Sequence, residues 1–197
     1  ADIAASIPGA DAACAARAGL LAKADLVTGV VGEFPELQGI MGGFYAAAAD
    51  EDTATAVAIT AHYRPQGPDD NLPDSAEGLA VALADKIDTL VGFFGVGARP
   101  TGSKDPFALR RAALGVIRIL IEANISLSLH DTLRKAAGYH GFAAIDDELL
   151  PFIRERFRVS LRDTGIAHDV VAAALGDCEL DNICLLADRA AALGTFL

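Results

Sequence analysis

Four histidines, His62, His130, His140 and His168, are present, and two of them head His-Asp pairs, His130-Asp131 and His168-Asp169. An imidazole and a carboxylate held together suit a divalent ion and a polarised water, the chemistry of metal-dependent phosphate-ester hydrolysis. Both pairs fall where helix-like stretches begin. Asp ordinarily caps or fills a first turn, so capping or solvated surface is the favoured reading. Asp85 and Asp88 stand three apart on one face of an apolar helical stretch, with Lys86 beside them. Paired carboxylates suit metal binding or acid–base work. They also suit pairing with arginine, and Arg110-Arg111 makes that the favoured reading, since a buried carboxylate without a partner is costly.

Thr101-Gly102-Ser103-Lys104-Asp105 looks like a phosphate loop only superficially. Gly95 and Gly102 are wrongly spaced, Lys104 precedes Asp instead of Ser or Thr, and no strand leads in. It still enters a helix start with a lysine nearby, which suits one backbone phosphate. Residues 99–118 hold Arg99, Lys104, Arg110, Arg111 and Arg118 against a single acid, Asp105. Two readings stand side by side: internal pairing with acids of the first half, and contact with a nucleic-acid backbone. Neighbours on a helix diverge by about 100°, so Arg110 and Arg111 should split. One should turn inward to Asp85 or Asp88 and the other outward. A second basic group, Arg154, Arg156, Arg158 and Arg162, reads as a solvated face.

The elements that must position these residues are helices. Of the 197 residues 52% are apolar and 22% charged, which makes the chain globular, and abundant Ala and Leu with no Trp favour helix over sandwich or barrel. The net charge of -11 argues against autonomous nucleic-acid binding. It is uneven: residues 1–98 carry 4 Lys/Arg against 14 Asp/Glu, and residues 99–197 carry 12 against 13, so an anionic partner should meet the second half. Cys14, Cys178 and Cys184 have neither disulfide-framework nor zinc spacing and read as small core residues of a reducing cytosol. Glu77, Asp85, Lys86 and Asp88 rule out a membrane span over Ala76–Val96, and no signal peptide is visible. A first residue other than Met and a helix-like end suggest a piece cut from a longer protein.

Apolar spacing predicts helices over Ala10–Val31, Glu36–Ala49, Thr53–Tyr63 and Ala76–Phe94, the last capped by Ser75 after a loop at Arg64–Ser75. Asp105 as N-cap and Pro106 at the first position predict a helix Pro106–Ala123. Shorter helices follow near Leu129–Ala137, Asp146–Asp163, Ala167–Leu175 and Leu180–Leu193. No alternating strand pattern competes. The expectation is an all-α bundle with a core at 1–124, where Ala76–Phe94 and Pro106–Ala123 lie centrally, and a smaller helical extension at 125–197.

Three words carry a family likeness: Lys23-Ala-Asp-Leu-Val-Thr28 with Glu33-Phe-Pro-Glu-Leu-Gln-Gly-Ile-Met-Gly42 and Tyr45-Ala46; Leu83-Ala-Asp-Lys-Ile-Asp-Thr-Leu-Val-Gly-Phe-Phe94; and Pro100-Thr-Gly-Ser-Lys-Asp-Pro-Phe-Ala-Leu-Arg-Arg-Ala-Ala-Leu-Gly115. In order and spacing they resemble the β subunit of the bacterial α2β2 glycyl-tRNA synthetase, most strongly over residues 10–120. The resemblance implies a middle fragment of a subunit several times longer. It implies an α-subunit partner that carries the aminoacylation site with ATP, Mg and glycine, and a β subunit that supplies most contacts to tRNA(Gly). The fragment itself would be cytoplasmic and away from membranes, with no catalytic residue and no cofactor. Arg99, Lys104, Arg110, Arg111 and Arg118 become candidate tRNA contacts. The family's central region looks like a helical domain of the HD type, whose metal site uses His and Asp. Here Glu33 and Glu36 stand where the His-bearing word would be, while Asp85, near Asp88, survives as a last ligand, so the site is degenerate and holds no metal. His130 and His168 inherit no role. The competing expectations are an active HD-superfamily metal phosphohydrolase using Asp85, and plain scaffolding.

Overall fold

The computed structural model describes residues 1–142, 146–176 and 180–195. Among them are ten α-helices, a few 3-10 turns and no strand beyond one isolated bridge between Thr101 and Lys104. The all-α expectation holds. The chain forms two compact units, Ala1–Asp85 and Lys86–Leu197. The sequence-based boundary at 124/125 falls within the second of these.

In the first unit, α1 (Ala12–Leu21) is capped by Asp11, whose carboxylate accepts from Ala13 N and Cys14 N. Sequence periodicity runs on to Val31, but the helix stops at Leu21. A 3-10 turn (Ala24–Val27) follows, then the short α2 (Gly29–Glu33), capped by the Thr28 hydroxyl. The break has a physical cause: Asp25 is drawn into the interior, 1% exposed, where Oδ2 accepts from Gly39 N at 2.6 Å and Gly42 N at 3.0 Å. Those amides open α3 (Ile40–Ala48), which starts four residues later than expected because Pro35–Leu37 forms a 3-10 turn and Gly39 takes φ +79°. A Cβ on Gly39 would also meet Tyr63 at 2.9 Å.

Helix α4 (Thr53–Ala61), capped by Asp52, packs against α1 and α3 through small residues, Ala56, Ala58 and Ala61 among them. The approach of α3 is so close that a Cβ on Gly43 would lie 1.9 Å from Thr60 Oγ1. After the loop 64–75, Ser75 Oγ accepts from Gly78 N and opens α5 (Ala76–Gly95), as expected. The division between the units falls inside this helix, which buries Ala80, Val81, Leu83, Ile87, Leu90 and Val91.

The second unit centres on α6 (Leu109–Glu122), which packs on α8 (Asp146–Asp163) and α10 (Ile183–Gly194). Helices α7 (Leu129–Tyr139) and α9 (His168–Leu175) flank α8. Leu120, Leu133, Leu149, Ile153, Phe157 and Ile183 form the core. Asp105 does cap α6, but from farther away than the sequence suggests. Its two oxygens accept from Leu109 N and Arg110 N at 2.9 Å each, and Ala108 turns left-handed at φ +53°. Pro106 therefore sits in the loop and the helix begins at Leu109. Cys184 is buried and Cys14 half-buried, both as free thiols, and Cys178 lies outside the described residues. The stretch between the helices expected at Leu129–Ala137 and Asp146–Asp163 lies partly outside them as well.

Candidate functional site

The basic segment is a loop-to-helix corner. Thr101 and Lys104 exchange backbone hydrogen bonds at 3.0 and 2.8 Å, which folds residues 101–104 into a tight turn. The Asp105 cap then fixes the entry to α6. The five candidate cations divide by engagement. Arg99 pairs with Glu148. Arg110 is half-buried and its guanidinium donates to Gly102 O at 2.6 Å, tying the helix back to the turn. Arg118 pairs along its own helix with Glu122, with Nε 2.7 Å from the carboxylate. Lys104 and Arg111 are exposed and make no ion pair among the described residues. Between them on the chain, Phe107 is 46% exposed and stacks on Phe93, with centroids 4.1 Å apart and planes 20° off parallel.

The expected inward arginine is corrected by these contacts. Arg110 and Arg111 do diverge, but the half-buried one spends its donors on a loop carbonyl. Asp85 instead takes Lys23, with Nζ 2.8 Å from Oδ1, and Asp88 takes His140 Nε2 at 2.7 Å. The Arg110 guanidinium is engaged by Gly102 O, and its backbone N–H by the Asp105 cap.

Glu33 ends α2 and Glu36 lies in the 3-10 turn after it; both face solvent. What the fold gathers at Asp85 is a set the sequence reading passed over. Lys23 Nζ lies 2.8 Å from Asp85 Oδ1, 2.9 Å from His62 Nε2 and 3.7 Å from the centroid of the Tyr63 ring. His62 is fully buried at the end of α4, and its Nδ1 lies 2.6 Å from Ile59 O. An ammonium has donors only, so Nε2 accepts and Nδ1–H donates to the carbonyl. That makes His62 a neutral imidazole of defined tautomer. Among the described residues no three of His, Cys, Asp and Glu stand together as a metal-holding group.

His130-Asp131 and His168-Asp169 do open α7 and α9. The His130 ring meets Arg134, and Asp169 Oδ1 accepts from Val170 N, which fits first-turn roles. The second basic group is not merely a solvated face. Arg154 donates to Leu175 O and Gly176 O at the end of α9, where carbonyls lack helical partners.

A model of the glycyl-tRNA synthetase beta subunit family matches residues 1–176. The chain is 54% identical over 185 residues to the glycine–tRNA ligase beta subunit of Phenylobacterium zucineum, an alignment covering 93% of this chain and 25% of that protein. It is 50% identical over 200 residues to the glycine–tRNA ligase beta subunit of Cereibacter sphaeroides, covering 98% of this chain and 29% of that protein. The chain thus spans 25–29% of the length of these curated relatives.

Proposed function

Because this chain belongs to the glycyl-tRNA synthetase beta subunit family, we propose that it is a non-catalytic helical part of a glycine–tRNA ligase, and that its 99–111 corner meets the backbone of tRNA(Gly). In this reading the whole enzyme is a cytoplasmic α2β2 assembly. ATP, Mg and glycine are handled by the α subunit, and the present chain contributes substrate positioning.

The observation that carries the reading is the exposure of Lys104 and Arg111 without ion-pair partners among the described residues, on a corner fixed by the Asp105 cap. Phosphate contacts come from such cations, and a preset corner lowers the ordering cost of making them. The overall charge of -11 fits a part that relies on the rest of the enzyme for most RNA affinity. The phosphohydrolase alternative has less support. It needs Asp85 at an open metal, and Asp85 already faces the Lys23 ammonium.

The test is a tRNA titration of the intact tetramer across a salt series. Lys104→Ala and Arg111→Ala should fold normally, weaken binding, and each reduce the log–log salt slope by about one phosphate contact. Binding like the unmodified enzyme at every salt concentration would leave this region as scaffold. No helix of the described residues is long and apolar enough to cross a membrane.

A further inference from the structure

On the RNA-facing reading of the 99–111 corner, on which this rests, we propose that the outer face of the Phe107 ring is a stacking seat for one unpaired base of the tRNA. Lys104 and Arg111 then take phosphates of the same strand. Phe107 lies in the loop that leads into α6, between Lys104 and Arg111 on the chain. One face of its ring stacks on Phe93, with centroids 4.1 Å apart and planes 20° off parallel. The residue is still 46% exposed, so the open part of the ring is the opposite face and the rim. A base laid on that face extends the stack from two layers to three.

The seat is set before anything binds. Phe93 belongs to α5 and is half-buried, and it lies in the second unit with the rest of the corner. The Phe107 backbone runs between Asp105, which accepts from Leu109 N and Arg110 N at 2.9 Å each, and Ala108, left-handed at φ +53°. The Arg110 guanidinium ties the helix start back to Gly102 O. A ring held from both sides has little freedom left to lose when a base arrives, which lowers the cost of binding.

The surroundings select a nucleotide strand over an apolar partner. Phe34 and Phe44 are exposed as well, but they stand in residues 1–98, which carry 4 Lys/Arg against 14 Asp/Glu. Phe107 stands among residues 99–118, where five cations face the single acid Asp105. Lys104 and Arg111 are exposed and make no ion pair among the described residues. A flat ring beside cations is how single strands are held: the ring takes the base and the cations take the backbone. Bases inside a duplex have both faces covered by their neighbours, so the seat takes a base from a loop or from the single-stranded 3′ end. Stacking tolerates any base, so the seat positions the RNA without reading its sequence.

The experiment titrates tRNA(Gly) into the whole enzyme of the proposed assembly across a salt series, with Phe107→Leu, Phe107→Tyr and Phe107→Trp beside Lys104→Ala and Arg111→Ala. Phe107→Leu keeps an apolar side chain over Phe93 and removes the flat face. It should weaken binding about tenfold with the log–log salt slope unchanged, because stacking releases no counterions. Phe107→Tyr and Phe107→Trp keep a flat face and should bind like the unmodified enzyme. Transcripts with one abasic loop position each, and one lacking the 3′ single strand, locate the base: on one of them the loss from Phe107→Leu should disappear. The chain has no tryptophan of its own. The emission that Phe107→Trp adds should be quenched by tRNA(Gly) and not by that transcript, a readout that decides the matter if Phe107→Leu fails to fold. Three results overturn the seat: Phe107→Leu binding like the unmodified enzyme, a loss equal on every transcript, or tryptophan emission indifferent to tRNA. If Lys104→Ala and Arg111→Ala still weaken binding in that case, the corner meets tRNA without a stacked base. If they do not, the corner reading falls with it.

Discussion

His62 Nε2 accepts a hydrogen bond from the Lys23 ammonium at 2.9 Å, while its Nδ1 donates to Ile59 O at 2.6 Å. Both ring nitrogens are therefore assigned by their partners. Nitrogen-15 spectra of the His62 ring at neutral pH should report a protonated Nδ1 and an unprotonated Nε2. His62→Ala should cost about 2–4 kcal/mol in chemical denaturation, from the lost ring volume and the broken buried network. A spectrum with Nε2 protonated, or a loss of stability within error of zero, would contradict the cluster.

Asp25 holds the start of α3 through Gly39 N and Gly42 N, and its Oδ1 has no hydrogen-bond partner among the described residues. Removing the carboxylate strands two buried N–H groups. Asp25→Ala should therefore lose about 2–4 kcal/mol in urea unfolding. Asp25→Asn keeps one acceptor oxygen and should lose visibly less. Equal losses in the two variants would mean that packing, and not the cap, is what Asp25 supplies.

The hydrogen bond from Arg17 holds the Glu51 carboxyl below its ordinary range. Desolvation opposes this in part, and the arginine charge adds to it. A depressed folded value gives stability that is fully present above the unfolded value, about 4.3 for Glu, and is lost as pH falls through the folded value. The acid limb of a plot of thermal midpoint against pH should be shallower for Glu51→Gln than for the unmodified chain, with no difference in slope at neutral pH. The pair is exposed, so the change should be small and should shrink further in salt.

Burial pushes the Cys184 thiol above its ordinary value, and the charge of Asp188 adds to the shift. Its Sγ donates to Leu120 O at 3.0 Å, with Ile125 O at 3.2 Å. In a Cys178→Ser background at pH 8, native alkylation of Cys184 should run at least about tenfold slower than in urea. Equal rates would place Cys184 outside the core.

The helices were legible wherever apolar spacing and a cap agreed. Ser75 and α5 are such a case. Legibility failed where a side chain left its own helix for a partner far along the chain. Asp25 reaches amides 14 and 17 residues away, which breaks a run that looks continuous from Ala10 to Val31. Asp105 caps at a distance, so the proline rule placed the start of α6 three residues early.

The candidate site was half legible for the same reason. The cation cluster at 99–118 is local, and the sequence displays it. Lys23, His62 and Asp85 are separated by tens of residues, and only packing of three stretches brings them together. His62 lacks an adjacent Asp, so attention to His-Asp pairs passed over it. A buried position at the end of an alanine-rich helix was the available signal.

The central claim is that the 99–111 corner touches tRNA in the assembled enzyme. The direct measurement is crosslinking of the whole enzyme of the proposed assembly to tRNA(Gly) carrying photoreactive uridines, with crosslinked peptides located by mass spectrometry. The account predicts adducts on peptides containing Lys104, Phe107 or Arg111, suppressed by high salt and by unlabelled tRNA(Gly). Adducts elsewhere in the enzyme, with none on residues 99–111, would contradict it.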